Sequence, residues 1–176
     1  IKNRRHKKFL KSSILSLLKV YVENSVDDKK RKMIWAMDKY IRNFPEGKHT
    51  SSFYEKTFFL YLELEQVIPA EKILIEYRKN NKKHSSLSKL LMALMAKYIE
   101  KNDLIGLSKW IIKVEKKEYK INPVFMGHAI QSLGDLLFNK YEKYIKKNKF
   151  KKAENGYLSI LNSKRYPREI KVETHI

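Results

Sequence analysis

Apolar residues recur at three- and four-residue intervals along nearly the whole of this chain. Leu10, Ile14, Leu17 and Tyr21 form one such stripe in "KNRRHKKFLKSSILSLLKVYVEN", which predicts an amphipathic helix. Asn24 and Ser25 end it, and Asp27 and Asp28 suit the positive end of a following helix. That helix carries Met33, Met37, Tyr40 and Phe44 on one stripe, with Ile34 and Ile41 beside it. Two such helices joined by a tight turn are expected to pack as an antiparallel hairpin. Further helices are predicted over 51–66, 69–80, 85–101, 103–119, 123–147 and 149–162. Connectors such as "VIPA", "NNKKHS", "KND", "KIN" and "KNK" leave no room for strands, and Pro69 and Pro123 fall where a first helical turn tolerates proline. The predicted class is all-α. "FPEGKHTSS", Phe44 to Ser52, is the strongest break, so the expected domains are a helical hairpin over 1–47 and a second domain over 51–176.

Within that second region the spacing repeats. Val67, Ala70, Leu74 and Tyr77 are separated by 3, 4 and 3 residues. So are Leu104, Leu107, Ile111 and Val114, and again Phe150, Ala153, Tyr157 and Ile160. Each set has a small or medium residue second and a large one third, and each is expected to be a packing face. The preceding helices hold matching sets: Tyr54, Thr57, Phe58 and Tyr61; Leu91, Leu94, Met95 and Tyr98; and Ile130, Leu133, Gly134 and Leu137.

In this register the chain resembles a degenerate tetratricopeptide-repeat array from about Ser51 to Pro167. "IQSLGDLL" is similar to the family's Leu-Gly signature at Leu133–Gly134. The regular period is about 34 residues, whereas Ala70, Leu107 and Ala153 lie 37 and 46 apart. The third first helix is thus too long by about one heptad, which keeps roughly the same face inward. Gly134 alone keeps the family's small close-contact residue, Phe58 and Met95 replacing it elsewhere, which implies an irregular twist. The resemblance implies an N-terminal hairpin followed by about three helix-turn-helix pairs, stacked because each pair leaves an apolar face for the next to bury. "YPREIKVE" is expected to begin a short capping helix.

Composition changes this picture little. The chain has 176 residues, 43% hydrophobic and 12% aromatic, too apolar for a disordered basic tail. Its net charge of +20 points to an anionic partner, nucleic acid or a membrane surface. Yet only seven of the 39 basic residues are Arg, the residue that reads phosphate and guanine bidentately. Lys, Ile, Asn and Tyr all have AT-rich codons, so a low-GC genome accounts for much of the charge. With no Cys, disulfides and thiolate metal sites are excluded. The longest apolar run, "LLMALMA", is far too short to span a membrane. The chain begins at Ile1 rather than Met, so it is expected to be a trimmed piece of a longer protein.

Candidate chemistry is sparse. The five His never approach a metal-binding spacing, and the five Gly are isolated rather than gathered in a phosphate loop. Glu63 and Glu65 point in different directions on a helix, and Glu115 and Glu118 are expected to pair with Lys113, Lys116, Lys117 and Lys120. His128, Ser132 and Asp135 lie on one helix face but lack an oxyanion hole and a closed pocket. No catalytic residue, metal or cofactor is therefore expected.

The resemblance assigns a different role to that face, since first helices line the partner-binding groove in the family. The corresponding positions are Glu55, Phe59 and Leu62; Lys89, Met92, Ala96 and Ile99; and His128, Gln131, Asp135, Phe138 and Asn139. Such a groove suits a helix or an extended segment of another protein. The six basic residues among "IKNRRHKKFLK" add an expected contact with an anionic membrane surface. The expected function is a non-enzymatic interaction module that binds, stabilises or assembles a partner protein. The Tyr-Pro ending resembles repeats of bacterial envelope proteins, and the Lys/Ile/Asn-rich style is similar to spirochaete proteins. That implies the cell envelope, periplasmic or membrane-associated, with the cytoplasm as the alternative. The alternative function is a lysine-driven nucleic-acid-binding helical protein, whose affinity would fall steeply with salt.

Overall fold

A computed structural model describes residues 2–23, 28–80 and 86–166. Among these residues the secondary structure is helical throughout, with no strand: α1 (Lys2–Glu23), α2 (Lys29–Asn43), α3 (Thr50–Glu63), α4 (Val67–Asn80), α5 (Leu87–Glu100), α6 (Leu104–Glu115), α7 (Pro123–Ile145) and α8 (Phe150–Leu161). The all-α class expected from periodicity holds. The expected stop at Asn24–Ser25, the role of Asp27, most of the "NNKKHS" connector and the capping helix beyond Tyr166 lie outside the described residues. No described helix is long and apolar enough to cross a membrane.

The chain divides into two compact units, residues 1–90 and 91–176, with the division inside α5. It does not divide at the Pro- and Gly-bearing stretch after α2, because α2 packs against α3. Local bonding explains why that stretch is not a loose linker. The Gly47 amide donates to the Phe44 carbonyl at 2.9 Å, and Thr50 donates to the same carbonyl through its hydroxyl. The Tyr40 ring packs against Phe44 and Phe53, with centroids 5.1 and 4.9 Å away. A Cβ at residue 47 would stand 2.9 Å from the Tyr40 hydroxyl oxygen, so glycine is required there for close approach.

In the first unit α1 packs on α2, α2 on α3 and α3 on α4. Most of each expected face is buried: Ile34, Met37, Tyr40 and Ile41 on α2; Tyr54, Thr57 and Phe58 on α3; and Val67, Ala70, Leu74 and Tyr77 on α4, while Met33, Phe44 and Tyr61 are half-buried. Each large member is worth about 1.5–3 kcal/mol when removed from water. On α1 burial follows Ile14 and Leu18, while Leu17 is exposed, a correction to the expected stripe. Asp28 stands at the N-cap of α2 in a left-handed conformation and makes no side-chain cap, pairing instead with Arg31 at 3.4 Å.

In the second unit α6 packs on α7 and α7 on α8. Leu91, Leu94, Met95 and Tyr98 on α5 are buried, as are Leu107 and Ile111 on α6, Leu133 and Gly134 on α7, and Ala153 and Ile160 on α8. Phe150, expected on the packing face of α8, is 60% exposed. α7 has 23 residues against 14 for α3 and α5, matching the excess length read from the spacing. Asp103 caps α6 by accepting from the Gly106 amide at 2.9 Å, and Asn122 caps α7 by accepting from Val124 at 2.8 Å.

One turn recurs that the spacing did not reveal. After α3, α5, α6 and α7 the chain places Glu65, Asn102, Lys117 and Asn148 in the left-handed region, with φ of 59, 53, 61 and 55°. Each closes the same pair of backbone bonds, as where Glu65 donates to the Leu62 carbonyl and Gln66 to that of Tyr61. After Glu65, Asn102 and Asn148 the next helix begins two residues on.

Candidate partner-binding faces

Amphipathic helices with one buried stripe leave the opposite face to carry any binding role. On α3 that face holds Glu55 and Phe59, one turn apart and both half-buried. The Phe59 ring lies 5.3 Å from Phe58, and the Lys89 ammonium stands 5.5 Å above it. The first unit thus brings Phe59 and Lys89 together. Leu62, the third position expected on this face, is buried in the core and is corrected to a packing residue.

In the second unit Met92 and Ile99 of α5 are half-buried and Ala96 is exposed. On α7, His128, Asp135 and Asn139 are exposed, and the half-buried Gln131 donates to the Asp135 carboxylate at 3.3 Å. Asp135 is therefore engaged by Gln131, its neighbour one turn back. Phe138 packs against the Tyr157 ring at 5.5 Å, which ties it to the α7–α8 contact. Asn139 reaches a cleft of about 580 Å³, between the end of α7 and the α5–α6 turn. Its other lining residues include Asn102, Leu104, Lys140, Lys143 and Lys146. Three lysines against the single Glu142 make that cleft basic.

A concave surface of the first unit lies away from the expected positions. Asp38 and Arg42 of α2, Glu46 and Gly47, Tyr54 of α3 and Glu76, Lys79 and Asn80 of α4 enclose a cleft of about 900 Å³. Asn80 donates to the Tyr54 hydroxyl at 2.9 Å. Burial raises the Tyr54 pKa against that bond's opposing effect. A second cleft of about 400 Å³ shares Asp38 and Arg42 and continues to Trp35, Arg31 and Tyr61. Arg31, Trp35, Asp38 and Arg42 recur at intervals of 4, 3 and 4 on α2, a polar stripe that periodicity does contain. Trp35 is 51% exposed, unusual for a residue that is buried on average.

The electrostatic pairings also depart from local expectation. Glu63 pairs with Lys30 at 2.9 Å. Glu115, expected to serve its neighbouring lysines, instead accepts two bonds from Arg165, at 2.9 and 2.8 Å. Glu118 does approach Lys113, at 4.0 Å. Among the described residues no group of three or more His, Asp or Glu is arranged to hold a metal ion. Comparison with protein-family models, with curated proteins and with solved structures finds no significant match to this chain.

Proposed function

We propose that this chain is a non-enzymatic protein-interaction module built from tetratricopeptide-like helix pairs. The N-terminal α1 and α2 form the hairpin, and α3–α4, α5–α6 and α7–α8 are the pairs. The observation that carries the reading is the shared turn at Glu65, Asn102 and Asn148, each followed two residues later by the next helix. Burial of aligned positions supports it: Ala70, Leu107 and Ala153 in the second helices, Phe58, Met95 and Gly134 in the first. Repeated helix pairs present laterally extended faces suited to another polypeptide rather than a small enclosed ligand.

In this reading Glu55, Phe59 and Lys89 bind the partner from the first unit. Met92, Ala96, Ile99, His128, Gln131, Asp135 and Asn139 form a separate binding face on the second unit, with Phe138 held beside it by the Tyr157 ring. The basic cleft beside Asn139 favours a partner segment that is acidic. The bacterial cell-envelope setting rests on the resemblance of the Tyr-Pro-ending repeat. The test immobilises the full chain and captures protein from native cells, with Phe59→Glu and His128→Glu as comparisons. One protein retained by the parent chain and lost from at least one of the variants is the expected result, with helical content unchanged by circular dichroism. Retention of no protein, or retention indifferent to both variants, overturns the reading. Nucleic acid eluting steeply with salt would replace it by the lysine-driven alternative.

A further inference from the structure

Helix α1 carries two apolar rows. Ile14 and Leu18 are buried in a helix that packs on α2. Phe9, Leu17 and Val20 remain 73, 39 and 46% exposed. At about 100° per residue, Val20 lies roughly 20° and Leu17 roughly 80° from Phe9 around the axis. Ile14 and Leu18 stand roughly 140° and 180° away on the same projection. Phe9 and Val20 therefore form a second face, distinct from the buried one, with Leu17 at its margin roughly 60° from Ile14, while the exposed Val22 lies outside it.

Within the arc from Phe9 to Leu17 the exposed His6, roughly 60° from Phe9, and the half-buried Ser13, roughly 40° from it, are polar. Ser13 lies beside Phe9 and donates its hydroxyl to the Phe9 carbonyl at 3.0 Å, so contact with apolar surroundings strands no donor. Charge is distributed around the row. Residues 2–23 contain seven Lys and Arg but one acidic residue, Glu23, at the far end, where it approaches Lys19 at 3.8 Å. Lys8 and Lys19 are exposed roughly 100° and 80° from Phe9, on the side away from Leu17, and their long stems let the ammonium groups reach toward the interface.

We propose that α1 is an interfacial helix that docks this face on an anionic lipid surface. Phe9, Leu17 and Val20 enter the boundary between headgroups and acyl chains, and the basic residues provide a diffuse attraction to lipid phosphates. Charge decides among the occupants. A second copy would bring two segments of net charge +6 together, the difference between seven basic residues and one acidic. A nucleic-acid backbone offers nothing apolar to receive Leu17 and Val20. This contact stands apart from the partner-binding reading and does not require it.

The test mixes the full chain with vesicles of phosphatidylcholine alone or with added phosphatidylglycerol. The chain has no Cys, so Phe9→Cys carries a single environment-sensitive label. Expected are at least about tenfold stronger sedimentation with the anionic vesicles and a blue shift of the label on binding. Binding should fall about tenfold or more in the Phe9→Ser, Val20→Ser double variant and about fivefold for each of Lys8→Gln and Lys19→Gln at low ionic strength. Circular dichroism should show the helices intact in every variant. No sedimentation with anionic vesicles at low salt overturns the proposal, as does equal binding by the double variant. A label that stays in a polar environment when bound also overturns it. So does a lipid-free dimer, or soluble polyglutamate binding, that is lost with Phe9→Ser, since either would give the face to another occupant.

Discussion

Arg165 grips Glu115 with two parallel hydrogen bonds, Nε to one carboxylate oxygen at 2.9 Å and Nη2 to the other at 2.8 Å, across a separation of fifty residues. Four lysines lie within five residues of Glu115, yet the planar guanidinium matches both carboxylate oxygens at once, which an ammonium cannot do. With the side chains 28 and 36% exposed, solvent screening limits the pair to about 1 kcal/mol. Arg165→Lys and Glu115→Gln should each lower stability by that order, and the double change by little more. Urea unfolding of the four proteins measures it, and simple additivity would refute a direct pair.

Tyr157 donates its hydroxyl to Glu142 at 2.6 Å, joining α8 to α7. Burial, and then the bond to Glu142, raises its pKa well above the ordinary tyrosine value. The unfolded chain releases this proton near pH 10, while the folded chain keeps it. The native state then binds more protons, so stability present below about pH 10 is lost as pH rises beyond it. Tyr157→Phe should cost about 1 kcal/mol at neutral pH and flatten part of the alkaline decline. Denaturant midpoints from neutral to strongly alkaline pH test both effects. Tyr54, Tyr61 and Tyr166, also raised by burial, add to the alkaline decline in the same direction.

Three helical glycines should respond to alanine in opposite directions. A Cβ at Gly106 would meet the Tyr98 ring at 2.2 Å, and one at Gly156 the Tyr141 ring at 2.4 Å. Gly127 has nothing within 4 Å. Alanine is favoured over glycine in a helix by about 1 kcal/mol, whereas overpacking costs about 1–3 kcal/mol. Gly127→Ala should raise the melting temperature, and Gly106→Ala and Gly156→Ala should lower it. A rise in all three would remove the close-packing account.

Tyr40 is fully buried, and its hydroxyl has no hydrogen-bond partner among the described residues. Removing an unsatisfied buried hydroxyl relieves a desolvation cost, so Tyr40→Phe should be neutral or stabilising by up to about 1 kcal/mol. Tyr40→Ala should cost about 3–5 kcal/mol, because the ring fills the space against Phe44 and Phe53. Thermal unfolding of the two variants separates ring from hydroxyl.

Periodicity located the helices and most buried faces because one stripe per helix must meet a neighbour, as Leu74, Leu107 and Ile160 do. It placed Leu17 on the α1 stripe, whereas Leu18, one step around the helix, is the residue that burial selects. Phe150 fits the spacing but is exposed, since spacing carries no information about whether a neighbour stands opposite. On the candidate faces, pairings within a helix, such as Gln131 with Asp135, are legible from four-residue spacing. The burial of Leu62, the contact of Phe138 with Tyr157 and the clefts beside Asp38 and Asn139 depend on other helices and are not. Glu65 and Lys117 are not residues that announce a left-handed turn, and Asn102 and Asn148 are only weak signals of one.

Those turns set a ceiling on heat tolerance. A side chain in the left-handed region costs about 1–2 kcal/mol relative to glycine, less for asparagine. Glu65 and Lys117 bear that strain fully, and Asn102 and Asn148 more lightly. The chain is therefore less thermostable than its packed interior alone would make it. Glycine at 117 offers a reserve of thermostability reachable through backbone torsions, since Lys117 is exposed and outside the core.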